Sequence, residues 1–105
     1  MNMLSASDAE TIAKEFLLDD LEVLAADREF FCVIAARDTG SDWYVIEIGI
    51  EGLPDRWILQ VFDTGQCDPC YTFSSPVSSG ENDDLEEFPH KIAAVVAAER
   101  AGGII

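Results

Sequence analysis

The chain has 105 residues, enough for one domain spanning 1–105 and too few for two, and 49% are hydrophobic, so a core can form without disulfides or metal. Its 21 Asp and Glu face six Lys and Arg, a formal net charge of −15 that opposes nucleic acid and anionic membranes and favours a basic protein partner. No segment reaches the roughly 18 uninterrupted apolar residues of a membrane span, and the start MNMLSASDAE lacks the basic and apolar runs of a secretion signal; a soluble, cytoplasmic protein is expected.

Ser7-Asp8-Ala9-Glu10 matches a capping box, in which a serine oxygen and a glutamate three residues on satisfy free backbone N–H groups. Ala9, Ile12, Ala13, Phe16 and Leu17 then recur at helical spacing, predicting an amphipathic helix that ends near Asp19-Asp20. The following LEVLAA reads as a short strand or an extended lead-in. EFFCVIAA (29–36) is aromatic and β-branched, and the turn cluster 38–42 closes it. WYVIEIGI (43–50) alternates, with Tyr44, Ile46, Ile48 and Ile50 predicted to face the core. A turn at 52–55 leads to the strand RWILQVFD (56–63), and Asp63-Thr64-Gly65 leads to a short strand around 70–73. A polar loop over 74–84 precedes a last helix, KIAAVVAAERAG, with Pro89 in its first turn, a stop at Gly102-Gly103, and Ile92, Val95 and Val96 docked on the body. The expected class is α+β: an N-terminal helix packed on a three- to four-stranded antiparallel meander, plus a C-terminal helix.

Cys67 and Cys70 form a C-x-x-C. A redox couple needs its first thiol at a helix N-terminus, but Tyr71-Thr72-Phe73 after it is strand-like, and Asp68 disfavours thiolate. Structural zinc needs four ligands, and these two are its weak candidates, with Cys32 in an apolar strand and His90 in another element. Three cysteines make an odd count, which suits free thiols better than a secreted disulfide framework. His90 has no catalytic company, so no catalytic residue and no cofactor is expected. Trp43 and Trp57 read as core or sheet-face residues. The acids gather in two places: Asp19, Asp20 and Glu22, then Glu81, Asp83, Asp84, Glu86 and Glu87. They lack the order of a calcium loop and are read either as surfaces that steer a cation-bearing protein or as a solvated face kept for solubility. An exposed face of strands 43–50 and 56–63 is a second candidate contact.

The A-x-x-I-A-x-x-F-L helix, Trp43-Tyr44 opening a strand and the Asp63-Thr64-Gly65 turn together resemble small cystatin-like α+β immunity proteins of bacterial polymorphic toxin systems, over residues 8–76. The C-x-x-C and the alanine-rich last helix depart from that pattern. The resemblance implies a cytoplasmic, non-enzymatic inhibitor that occludes one cognate toxin. The alternatives are a thiol- or metal-dependent protein built on Cys67 and Cys70, and a structural subunit of a larger complex.

Overall fold

The computed structural model describes residues 4–40, 42–77 and 82–101. Helix α1 spans Ala6–Asp20, and its N-cap is Ser5 rather than Ser7. The Asp8 N–H donates to Ser5 Oγ at 3.1 Å and the Ser5 N–H to Asp8 Oδ2 at 3.4 Å. Aspartate thus fills the box position expected of Glu10, two residues early. Tyr44 fixes the earlier start by donating its hydroxyl to the Leu4 carbonyl at 2.7 Å. Ala9 and Ala13 are fully buried, so α1 lies close on the sheet through small side chains, flanked by buried Leu17 and Leu18.

After α1 the chain reverses in a Schellman motif. The Glu22 N–H donates to the Asp19 carbonyl and the Val23 N–H to that of Leu18, with Glu22 left-handed at φ 56°. The strand or lead-in expected at 21–26 is therefore absent. Residues Ala25–Phe30 form a 3-10 helix instead, held to the helix end by Arg28, which donates to the Val23 carbonyl and to Asp19.

Four antiparallel strands follow in sequential order: β1 Phe31–Asp38, β2 Trp43–Ile50, β3 Arg56–Phe62 and β4 Thr72–Ser74. The register sets Val33, Ile48 and Trp57 in one row and Ala36, Ile46 and Leu59 in another. Ile34 falls at a bulge between Val33 and Ala35. Its side chain lies where Gly49 has no Cβ, and any Cβ there would collide with it. The inward face carries buried Ile46, Ile48, Ile50, Trp57, Leu59 and Val61, as the alternation predicts, with Tyr44 only half-buried. β4 begins at Thr72 rather than Cys70 because Asp68 Oδ1 accepts the Cys70 N–H at 2.8 Å and holds that residue in a turn.

Helix α2, His90–Arg100, starts directly after Pro89. Ile92 and Val96 are buried and Val95 is half-buried; the stop expected at Gly102-Gly103 lies outside the described residues. Both helices contribute to one core cluster with the inward sheet face, giving the α+β arrangement. Trp57 sits within it, its ring centroid 5.7 Å from that of Phe31 and 5.2 Å from that of Phe73. Its indole N–H donates to Glu99 Oε2 at 2.7 Å.

A left-handed residue with a Cβ costs about 1–2 kcal/mol relative to helical backbone, and glycine escapes most of it. Glu22→Gly is therefore expected to stabilise the fold by about 1 kcal/mol in urea unfolding, provided the αL geometry is kept.

Candidate functional site

A buried, doubly bidentate arginine joins three elements. Arg100, in the last turn of α2, donates from Nε to Asp55 Oδ1 at 2.9 Å and from Nη2 to Asp55 Oδ2 at 2.7 Å. It also donates from Nη1 to Asp84 Oδ1 at 2.8 Å and from Nη2 to Asp84 Oδ2 at 2.9 Å. The side chains of Arg100 and Asp55 are fully buried, whereas Asp84 keeps 37% of its side-chain exposure. Bidentate pairing is the geometry in which a guanidinium loses least on leaving water. Donation from Arg100 holds the Asp84 carboxyl below the usual range, and the bonds to Asp84 and Asp55 hold the Arg100 pKa above its ordinary value. With its donors turned to two carboxylates, this arginine is a structural tie.

Sequence reading missed Asp55 and Arg100. Asp55 looks like an ordinary turn aspartate after Pro54, and Arg100 like the last charged residue of an alanine-rich helix. Asp84, expected in the outer acidic surface, is drawn partly inward by that arginine. Two other predicted acids are also engaged: Asp19 accepts from Arg28 at 2.9 Å, and Asp20 accepts the Tyr71 hydroxyl at 2.7 Å. Burial, the bond to Asp20 and the charges of Asp20 and Glu99 hold Tyr71 protonated well above its ordinary pKa.

The remaining predicted acids among the described residues face water. Glu22 is exposed just beyond α1, a helix whose last turn carries Asp19 and Asp20 and no basic residue. Asp83 opens the short 3-10 helix Asp83–Leu85, whose buried Leu85 turns Asp83, Glu86 and Glu87 outward. Glu81 lies outside the described residues. Beside this acidic turn an open groove of about 300 Å³ runs along α2, lined by Leu85, Glu86, His90, Ala93, Ala94 and Ala97 among others. Its walls are mainly apolar and its rim carries carboxylate.

The C-x-x-C segment has a different character. Cys67 bridges to Val61 on the core side and is half-buried, while Cys70 is exposed; both are free, as is Cys32. Burial, then the neighbouring Asp68 charge, push the Cys67 thiol up to about 11. At neutral pH it is a thiol, the unreactive form. No group of three or more His, Cys, Asp or Glu able to hold a metal occurs among the described residues. His90 is exposed at the start of α2. No described helix is long and apolar enough to cross a membrane.

Comparison of the chain with protein-family models, curated proteins and solved structures finds no match to any of them.

Removing one member of a buried pair strands the other's charge, at a cost of about 3–5 kcal/mol, whereas replacing both by apolar residues is often close to neutral. Asp55→Asn is therefore expected to destabilise strongly in denaturant titration, and the double variant Asp55→Leu with Arg100→Met far less. The pH dependence has a definite sign. Because the folded-state pKa of Asp84 is depressed, its contribution is complete above the unfolded carboxylate value of about 3.9 and is lost as pH falls below it. The stability gap between the wild type and Asp84→Asn should accordingly be constant near neutrality and close in acid.

Proposed function

We propose that this protein is a non-enzymatic binding protein of the immunity type, which neutralises a cognate basic toxin by occluding it. The observation that carries the reading is Glu22. It adopts a left-handed conformation that glycine would occupy with less strain, and it adds negative charge at the negative end of α1. Both features oppose stability. Local strain and uncompensated charge that a single substitution would relieve are characteristic of positions kept for binding.

The second acidic element agrees in chemistry. Asp83, Glu86 and Glu87 stand outward beside a mainly apolar groove, a combination suited to a partner side chain with an apolar body next to a Lys or Arg head. The net charge of −15 adds steering, which lifts association above the roughly 10⁵–10⁶ per molar per second of unsteered encounters. Speed of capture suits an inhibitor that must act before its toxin does. The cysteine-based alternative is disfavoured by the same chemistry that protonates Cys67.

The test is affinity capture from the native host at low salt, comparing the tagged wild type with a triple variant, Glu22→Gly, Glu86→Lys and Glu87→Lys, with mass spectrometry of the bound fraction. The expected result is a basic protein held by the wild type and released by the variant. Equal retention by both, or partners recovered only as mixed disulfides through Cys67 or Cys70, would overturn the reading.

A further inference from the structure

The groove along α2 has two unlike ends. Ala93, Ala94 and Ala97 line it from the helix, and Leu85 and Glu86 from the turn before it. Glu86 and His90 stand where the helix begins, and Ala97 lies two turns further, roughly 10 Å along the axis. At the helix start Asp83, Glu86 and Glu87 are exposed and make no ion pair among the described residues, and no Lys or Arg lines the groove. The complementary occupant is therefore cationic at one end and apolar over the rest.

Backbone chemistry narrows it further. The N–H and C=O groups within α2 pair inside the helix, so the groove offers no strand edge. An extended segment laid here would turn its own N–H and C=O groups toward methyl groups, which is costly. A helix satisfies its backbone internally and meets an apolar wall with side chains alone. Alanine on the facing surface also lets two helix axes approach to about 8 Å, the near end of the usual range. We propose that this groove receives an amphipathic helix of the basic partner, with apolar side chains on Ala93, Ala94 and Ala97 and a Lys or Arg against Glu86 and Glu87. The inference rests on the immunity-type reading for who the partner is, and adds the form in which it is recognised. Apolar residues at positions i, i+4 and i+7 of such a helix span the two turns, and the stem of the Lys or Arg covers Leu85 while its head reaches the carboxylates.

The probe is a peptide of about 14 residues made of Leu and Lys in helical register, short enough to be marginal as a helix when free. Its comparator has the same length and charge but is made of Lys, Gly and Ser. The expected result is that the Leu/Lys peptide binds more tightly than the comparator and gains helical circular dichroism on binding, with amide shift changes gathered at Leu85, Glu86, Ala93, Ala94 and Ala97. Ala94→Arg puts a cation at an exposed position in the groove and should weaken binding about tenfold or more. Ala98→Arg makes the same charge change on the same helix, at an exposed residue outside the groove, and should cost less than about threefold. Equal binding of the comparator, equal losses from the two arginine variants, or shift changes centred elsewhere would overturn the proposal. Its failure is distinct from that of the immunity reading: a basic partner captured by the wild type and held equally by well-folded Ala94→Arg overturns the groove assignment alone, whereas the absence of any basic partner overturns the reading beneath it.

Discussion

The bond between Arg100 and Asp55 is the constraint on which the arrangement of this molecule turns. Asp55 belongs to the turn between β2 and β3, Arg100 to the last turn of α2, and Asp84 to the segment that leads into that helix. Three stretches far apart in sequence are thereby fixed at one point. Helix α2 has few large apolar residues, with Ile92 and Val96 its fully buried anchors. Apolar contact through so many alanines would allow the helix to slide or rotate on the sheet, and two bidentate carboxylates allow one position. A buried ion pair adds little net stability over apolar packing, so its contribution here is to geometry. Trp57 reads the same placement from the neighbouring residue, Glu99.

The same accounting sorts the acidic residues. Asp55 and Asp84 hold α2, Asp19 holds the 3-10 helix through Arg28, and Asp20 ties the end of α1 to Tyr71 at the start of the short edge strand. Among the described residues of the two predicted clusters, Glu22, Asp83, Glu86 and Glu87 are exposed and hold no other element by a side-chain bond. These carboxylates have no visible structural task, and one of them occupies a strained backbone position. A division between acids that build the fold and acids left facing water follows from their contacts, where composition shows only a total.

The strands and helices were legible because their signals are periodic. Ile46, Ile48 and Ile50 alternate, and Ala9, Ala13 and Leu17 repeat every four residues, so sheet and helix could be placed with their buried sides correct. Boundaries were less legible where a cap is satisfied by a near-equivalent residue: Ser5 with Asp8 forms the box that Ser7 with Glu10 also spells. The 3-10 helix after α1 was hidden because LEVLAA has the composition of a strand, and the reversal at Glu22 that excludes one uses no glycine to announce it. The Arg100 tie was not legible at all. Its partners lie 45 and 16 residues away, and nothing local distinguishes Asp55 from other turn aspartates.

On this account the protein has two sides with different physics. One carries the helices, the exposed carboxylates of Glu22, Asp83, Glu86 and Glu87 and the mainly apolar groove; the other is the outer sheet face, whose strands carry Arg37, Glu47 and Arg56. The central claim concerns the first: that its charge exists to bring a basic protein in quickly. The most direct measurement is the association rate constant for the captured partner as a function of ionic strength, by stopped-flow mixing. The account predicts a fall of about tenfold or more between low and physiological salt, with a much smaller change in the dissociation rate. An association rate indifferent to salt would contradict it and reduce the acidity to a matter of solubility.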